Sequence, residues 1–218
     1  MRIGTWNLAG HWGAGHRDLL GSLDCDVLLL TEVATAVELP GYQMHPTDGF
    51  MAAGRYWAAV ASRVGLRPMA DPHRASVMAE VDGLRMCASI LPWRSCGRSA
   101  PWTGKSTTEK TTNAVADIEA AGPDVWGGDW NHRLCGTEYA GSGQGAERIR
   151  AAVERLGLVV PTVGLPHRLT GSSAIDHIAV PRSWDVVSAQ RVSGVVGGAA
   201  LSDHDAYIVT AAPTETLF

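Results

Sequence analysis

Residues 124–131 read Asp-Val-Trp-Gly-Gly-Asp-Trp-Asn, a short apolar run that ends in an acidic and an amide side chain. Residues 124–128 are predicted to form a strand, and the Gly-Gly pair with Asp129 and Asn131 is turn chemistry, which alone favours a structural role. Polar side chains also lie at the ends of, or inside, four other apolar runs: Trp6-Asn7, Thr31-Glu32, Asp176-His177 and Ser202-Asp203-His204. Each cluster alone could be a turn or a solvated strand end. A sheet that presents all five clusters to one cleft explains them jointly.

The Asp176-His177 pair is the hardest of these clusters to explain as surface structure. It lies between Ala174-Ile175 and Ile178-Ala179-Val180, inside a predicted strand. A charged side chain within an apolar strand is costly unless it has a partner. We therefore expect Asp176 to be ionised beside a cation, and we expect strand alternation to direct His177 to the opposite face.

The rest of the chain reads as a mixed α/β protein. The predicted strands are residues 2–8, 26–30, 56–62, 75–81, 84–91, 124–128, 174–180, 186–192 and 206–211, and the predicted helices are residues 15–23, 107–121 and 146–156. The Asp82-Gly83 pair is a hairpin signal, and the continuous apolar run at residues 26–30 is typical of a strand buried on both faces. No repeat or linker interrupts the chain, so we expect one domain over residues 1–218.

The composition excludes some classes of protein. The formal net charge of −4 argues against a protein held to nucleic acid mainly by bulk positive charge. No apolar stretch of eighteen residues is present, so we expect no membrane insertion. The four cysteines form no C-x-x-C pair, and the N-terminus enters a predicted strand without a signal-peptide segment. We therefore expect reduced thiols and a cytoplasmic protein, and the oligomeric state stays open.

The clustered side chains suit a hard divalent cation. Mg²⁺ prefers oxygen ligands, usually one or two carboxylates together with water and substrate phosphate. The carboxylates and amides in the clusters are Glu32, Asp129, Asp176, Asp203, Asn7 and Asn131. The clusters also supply one or two histidines for proton transfer. This inventory indicates phosphate-ester hydrolysis, in which a metal and positioned donors stabilise the charge that develops on phosphorus.

The clusters resemble the motifs of the endonuclease/exonuclease/phosphatase superfamily, whose fold is that of pancreatic deoxyribonuclease. The matching stretches are Thr5-Trp6-Asn7-Leu8, Leu30-Thr31-Glu32, Gly128-Asp129-Trp130-Asn131, Ile175-Asp176-His177-Ile178 and Ser202-Asp203-His204. Each is short, but the set occurs in the family order and spans residues 5–204. The resemblance implies an α/β (α+β) fold, a four-layer sandwich of two packed, mostly antiparallel sheets flanked by helices. It also implies dependence on Mg²⁺ or Mn²⁺.

The resemblance assigns metal binding to three residues. Glu32 resembles the principal metal ligand, with Asn7 beside it. Asp203 resembles an additional metal ligand.

The resemblance assigns the chemistry to four further residues. Asp129 resembles the residue that orients or deprotonates the attacking water, and Asn131 resembles one that contacts the phosphate. His204 would stabilise the pentacovalent phosphate or protonate the leaving group, and Asp176 would hold His204 in position.

Substrate contacts are expected from a long loop at residues 92–106, because a loop of that length inside a compact domain is usually functional. The candidates are Trp93, Arg94, Arg98 and Trp102 in this loop, together with Trp130. An indole face can stack on a base or pack against a lipid or sugar, and arginine binds phosphate. The alternatives are core packing for the tryptophans and simple solvation for the arginines.

The expected function is that of a phosphodiesterase or nuclease, which hydrolyses a phosphodiester, nucleic acid included, by metal-assisted attack of water. Two departures from the family pattern leave alternatives open. Residues 88–93 contain no histidine where many family members carry one, and no acidic residue closely follows Asn7. The alternatives are a phosphomonoesterase acting on a soluble or lipid head-group phosphate and a catalytically weakened binding protein of the same fold.

Overall fold

The computed structural model describes residues 1–97, 101–136 and 140–214. Its strands are β1 (Arg2–Asn7), β2 (Val27–Ala34), β3 (Gln43–Pro46), β4 (Phe50–Ala52), β5 (Arg55–Ser62), β6 (Leu66–Pro68), β7 (Ser76–Val81), β8 (Leu84–Ile90), β9 (Val125–Asp129), β10 (Leu158–Val159), β11 (Asp176–Pro181), β12 (Trp184–Val192), β13 (Val195–Val196), β14 (Ala199–Ala200) and β15 (Ala206–Pro213). Its helices are α1 (Ala14–Ser22), α2 (Thr107–Ala121) and α3 (Gly143–Arg155).

The strands form two large sheets and one small hairpin. The first sheet has the order β12-β15-β1-β2-β5-β3, with β4 also paired to β5, and the second has the order β10-β11-β9-β8-β7-β6. Each large sheet contains one parallel pair, β1 with β2 and β8 with β9, and all the other pairs are antiparallel. Strands β13 and β14 form the separate hairpin.

Three layers of buried apolar side chains hold the sandwich together. Leu28 and Leu30 of β2 pack in the same layer as Leu20 of α1, whereas Leu29 points into the layer between the two sheets. The third layer joins the second sheet to α2 and α3, with Ile118 and Ile149 among its members. The predicted four-layer α/β sandwich is therefore confirmed, and the run at residues 26–30 belongs to a strand buried on both faces.

Local signals account for several predicted bounds. Helix α2 has the predicted bounds, since Ser106 Oγ accepts a hydrogen bond from the Glu109 amide at 3.1 Å and Gly122 ends the helix at a φ of +62°. The Asp82-Gly83 turn joins β7 to β8 with positive φ at both residues, as a type I′ hairpin requires. Helix α3 begins three residues before its predicted start, because Ser142 caps it by accepting a hydrogen bond from the Gly145 amide at 3.0 Å.

No helix among the described residues combines the length and the apolar composition needed to cross a membrane. All four cysteines, which lie within the described ranges, are unpaired.

The Gly127-Gly128 pair allows β9 to lie very close to its neighbours β8 and β11 in the second sheet. Gly128 has a φ of +124°, and a Cβ atom there would lie 2.2 Å from the carbonyl oxygen of Ser89 on β8. A Cβ at Gly127 would lie 2.8 Å from the carbonyl oxygen of His177 on β11. Because backbone atoms cannot move aside cheaply, both positions require glycine, and Asp129 follows them directly.

We predict that Gly128→Ala lowers the free energy of unfolding by about 3 kcal/mol, because the new methyl group meets a backbone carbonyl and the backbone is left-handed. Chemical denaturation followed by circular dichroism measures the change. Gly21→Ala is the matched control, since Gly21 is exposed in α1 and a Cβ there has no heavy atom within 4 Å. The control should be neutral or stabilising by up to about 1 kcal/mol. Equal effects of the two substitutions would contradict the close-approach explanation.

Candidate active site

The polar clusters found in the sequence meet at one end of the sandwich. The parallel register pairs Asn7 of β1 with Thr31 of β2, directly before Glu32. The antiparallel register pairs Asp176 of β11 with Asp129 of β9. The ends of strands from both sheets therefore deliver acidic and amide side chains to a common region.

The side chain of Asn7 bridges two carboxylates that come from different sheets. Its Nδ2 donates to Glu32 Oε1 at 3.2 Å and to Asp129 Oδ2 at 3.0 Å. Its Oδ1 accepts from the Ala9 amide at 2.8 Å. Asn7 was expected to lie beside the metal ligand Glu32, and it does. In this structure, however, the amide oxygen that a metal would use is engaged by the backbone, and Asn7 acts as a hydrogen-bond donor to the acidic groups.

His204 and Asp176 form the predicted contact. His204 Nδ1 lies 2.8 Å from Asp176 Oδ2, and His204 Nε2 lies 3.9 Å from Asp129 Oδ2. Each of the three side chains offers one potential ligand atom, and these atoms all lie within 4.8 Å of one another. Asp176 Oδ1 is buried and has no hydrogen-bond partner within the described parts of the chain.

The electrostatics of this group favour a protonated histidine. Burial alone would lower the pKa of His204, but the neighbouring carboxylates of Asp176 and Asp129 outweigh it and raise the pKa to about 10. Burial raises the pKa of Asp129 to about 7, with the Asp176 carboxylate adding to the effect and His204 and Asn7 opposing it. The imidazolium therefore supplies the cation that the buried Asp176 was expected to need.

The turn that carries His204 is anchored to β1 by a serine. Ser202 Oγ donates to the backbone oxygen of Asn7 at 2.6 Å and accepts from the His204 amide at 3.1 Å. The indole of Trp6 donates to the His204 carbonyl at 3.0 Å. Asp203, predicted as an additional metal ligand, is exposed at the rim and lies outside the compact group of Asp129, Asp176 and His204.

Asn131 is fixed in a turn beside Asp129. Its amide donates to Asp129 Oδ1 at 3.0 Å, and its Nδ2 donates to the carbonyl of Leu91 at 3.1 Å, leaving a second Nδ2 hydrogen for another acceptor. Asn131 has a φ of +52°, Glu32 of +49° and Ala9 of +50°. Left-handed backbone at residues other than glycine costs free energy and is concentrated at functional sites.

The predicted substrate-contacting residues divide into surface and core. Arg94 is exposed and Trp93 is half-buried, whereas Arg98 lies outside the described residues. Trp102 is only 4% exposed and packs edge-on against Trp57 and Trp93.

Trp130 is fully buried. The centroid of its ring lies 4.2 Å from that of Trp126 and 5.2 Å from that of His177. The structure therefore places Trp102 and Trp130 in the core and not on a substrate surface. The reason is that the chain turns inward at both positions, which a loop assignment from sequence cannot reveal.

Two arginines near the site carried no signal in the sequence. Arg55, at the start of β5, donates to Glu32 Oε2 at 2.6 Å. Arg168 donates to the carbonyl of Ser202 and lines a cavity of about 360 Å³ with His11 and Asp203. Both positions depend on how separate strands and loops come together, and no local pattern marks either residue.

The sequence of residues 4–204 matches that of the Endonuclease/Exonuclease/phosphatase family. The chain belongs to this family. Members of the Endonuclease/Exonuclease/phosphatase family are metal-dependent phosphoesterases, with nucleases and phosphatases among them. No curated protein matches the sequence.

Proteins of known structure that share this fold act on different substrates. An AP endonuclease from Archaeoglobus fulgidus superposes with a TM-score of 0.71 at 15% identity, covering 99% of this chain and 100% of that one. A 3′ phosphatase from Neisseria, bound to a product DNA hairpin, gives a TM-score of 0.65 at 16% identity, covering 96% and 98%. A mannosyl-6-phosphatase from Bacteroides thetaiotaomicron gives 0.63 at 15% identity, covering 97% and 99%. At these identities the likeness shows the fold alone.

The donor set at this site fits the divalent cation on which the Endonuclease/Exonuclease/phosphatase family depends. Glu32, Asp129 and Asp176 supply carboxylate oxygens, the ligands that Mg²⁺ and Mn²⁺ prefer. The buried Asp176 Oδ1, without a partner among the described residues, is an atom that a cation or its bound water would satisfy. The residues present are therefore compatible with a metal.

His177 points away from the site, as predicted, and is held as a neutral ring. Its Nδ1 accepts from Thr162 Oγ1 at 3.2 Å, and its Nε2 donates to the His132 carbonyl at 3.1 Å. Thr162 Oγ1 in turn accepts from the Ile178 amide at 3.2 Å. Burial lowers the pKa of His177 to about 4.

We predict that the free energy of unfolding decreases as the pH is lowered from about 6.5 to about 4. In that window the unfolded chain binds a proton at His177 and the folded chain does not. A depression of this size is linked to about 3 kcal/mol over the whole window. His177→Gln should remove this part of the pH dependence. Urea unfolding of both proteins from pH 7 to pH 4 measures it, and identical slopes would contradict the assignment.

Proposed function

We propose that this protein is a Mg²⁺- or Mn²⁺-dependent phosphodiesterase that hydrolyses nucleic acid or a smaller phosphodiester. The observation that carries the proposal is a continuous chain of contacts from Glu32 through Asn7 and Asp129 to His204 and Asp176. It brings an oxygen ligand for a metal, a carboxylate for water and a cation for phosphate into one place.

Glu32 is the residue to which we assign the metal. Its side chain is partly exposed, so it is open to a hydrated ion, whereas both ring nitrogens of His204 face carboxylates. A bound divalent cation would polarise the phosphate oxygens and stabilise the charge of the transition state. Asp203, at the exposed rim, could contribute only at the outer side of such a site.

Asp129 and Asn131 are assigned to the water and the phosphate. Asp129 is fixed through hydrogen bonds to both carboxylate oxygens, so it can orient a water molecule and accept its proton. The second Nδ2 hydrogen of Asn131 is available to a phosphate oxygen. Because Leu91 and Asp129 already hold this side chain, it would bind without reorganising.

His204 and Asp176 are assigned to the developing charge and the leaving group. A protonated imidazole can donate to a phosphate oxygen or pass its proton to the departing oxygen. Asp176 fixes the ring by its hydrogen bond to Nδ1 and keeps it charged.

A cavity beside the turn of His204 offers room for one organic group of a diester. It is the cavity of about 360 Å³ that is lined by His11, Arg168 and Asp203. Trp93 and Arg94 remain candidates for contacts with the substrate on the loop side.

The test of function is a screen of the purified protein with Mg²⁺ or Mn²⁺ against DNA, RNA, abasic DNA and simple aryl phosphate diesters and monoesters. We expect cleavage of at least one diester, and we expect excess EDTA to abolish it. Hydrolysis of monoesters alone would replace the proposal with phosphomonoesterase activity. Full activity in EDTA would overturn the metal mechanism.

We predict that Glu32→Gln lowers metal-dependent turnover by about 10² or more, because the amide has the shape of the carboxylate but no charge for the cation. Hydrolysis rates and metal binding by calorimetry are the measurements. Glu80→Gln is the matched control, since Glu80 also pairs with an arginine, Arg67, but on β6 and β7 away from the site. The control should retain wild-type turnover, and an equal loss in both variants would count against the assignment.

We predict that Asp176 and His204 act as one unit. His204→Ala and Asp176→Asn should each lower the rate by ~10²–10⁴, the usual cost of removing a positioned acid–base group. The double variant should be little worse than the more damaged single variant. Turnover numbers for the four proteins, with melting temperatures to confirm folding, complete the cycle. Multiplication of the two single losses would show independent action and overturn the pair.

A further inference from the structure

Arg55 occupies one of the two carboxylate oxygens of Glu32. Its Nη1 donates to Glu32 Oε2 at 2.6 Å, and among the described residues the other oxygen, Oε1, receives only the weaker contact from Asn7 at 3.2 Å. The side chains of Arg55 and Glu32 are 32% and 21% exposed. This pair therefore lies at the open face of the site, and its two carboxylate oxygens are in different environments.

The neighbouring backbone is shaped around the guanidinium of Arg55. Gly10 has a φ of +71°, and a Cβ atom there would lie 2.1 to 2.2 Å from Nε, Cζ and Nη2 of Arg55. The guanidinium thus packs directly on the Gly10 backbone, whose amide donates to the Glu32 carbonyl at 2.8 Å. A side chain at residue 10 would displace the arginine, so Arg55 is built into the site.

We propose that Arg55 is a positioning residue that reserves Oε2 of Glu32, so that the carboxylate offers a divalent cation only Oε1 and the site favours Mg²⁺ or Mn²⁺ over Ca²⁺. The inference rests on the proposed assignment of the metal to Glu32. Mg²⁺ requires near-octahedral geometry at about 2.1 Å and keeps several waters, whereas Ca²⁺ takes six to eight oxygens and accepts both oxygens of one carboxylate. Withholding one oxygen penalises the larger ion.

The ratio of the two affinities isolates this geometric effect from simple charge. Removing Arg55 deletes a positive charge beside the site and strengthens the binding of any cation. Because Mg²⁺ and Ca²⁺ carry the same charge, that gain is shared by both ions at a fixed ionic strength. A change in the ratio of their dissociation constants therefore reports the release of Oε2.

The experiment measures Mg²⁺ and Ca²⁺ binding by titration calorimetry, without substrate, for wild type, Arg55→Ala and the matched control Arg67→Ala. Arg67 also pairs with a glutamate but lies on β6, away from the site. We expect Arg55→Ala to shift the ratio toward Ca²⁺ by at least about tenfold, as the carboxylate becomes free to bind through both oxygens. The control should keep the wild-type ratio. An unchanged ratio in Arg55→Ala overturns the inference.

A second variant tests the same contact from the backbone side. Gly10→Ala should displace the guanidinium and shift the ratio in the same direction, and adding it to Arg55→Ala should shift the ratio no further. Additive shifts would mean that the two residues act separately, against the inference. Melting temperatures confirm that each variant is folded.

Failure of the inference and failure of the proposed function give different results. If Glu32→Gln abolishes binding of both ions but Arg55→Ala leaves the ratio unchanged, only the role of Arg55 is lost. If wild type binds neither ion, or Glu32→Gln binds both as wild type does, the assignment of the metal to Glu32 is lost, and the role of Arg55 with it.

Discussion

One amide group, the side chain of Asn7, sets the spacing of the acidic residues in the candidate site. It donates to a carboxylate from each of the two sheets, Glu32 on β2 and Asp129 on β9. The two carboxylates carry the same charge, and the donor that they share offsets part of their mutual repulsion. Asn7 is itself the last residue of β1. The position of β1 in the first sheet therefore determines where this amide can contact Asp129 of the second sheet.

The same strand end also holds the basic part of the site. The backbone oxygen of Asn7 accepts from Ser202, and Ser202 orients the turn that carries His204. The histidine then returns to the second sheet through Asp176, the register partner of Asp129. The contacts form a closed circuit between the sheets, so a shift of any one strand by a residue would break several of them together.

Sequence patterns predicted the fold where an element carries its own signal. Strand β2 was readable because its apolar run serves two core layers, and α2 because Ser106 and Gly122 mark its ends. Strands β3 and β4 have only four and three residues, too few for any periodicity, and they exist because β5 offers them a hydrogen-bonding edge. The local sequence of such a short strand does not indicate which distant strand it pairs with.

The same distinction applies to the candidate site. Polar residues at strand ends could be identified because an apolar run makes them conspicuous, and their juxtaposition followed from sheet geometry. Arg55 could not, since its contact with Glu32 depends on the register of β2 with β5. The orientation of the tryptophans could not be predicted either. A tryptophan beside a polar motif has the same local sequence whether its indole faces the solvent or, as in Trp130, packs in the core.

The left-handed backbone at Glu32 and Asn131 has a consequence for the history and engineering of the chain. A residue with a Cβ atom in this conformation costs roughly 1 kcal/mol or more, and glycine adopts it without strain. Glycine at either position would relieve this strain, but it would also remove the contact of Glu32 with Arg55 or that of Asn131 with Leu91. A programme that thermostabilises this scaffold should hold residues 32 and 131 fixed and gain its stability elsewhere. Ala9 shares the conformation but has no polar side chain. Glycine at residue 9 would therefore relieve the same strain without removing a polar group.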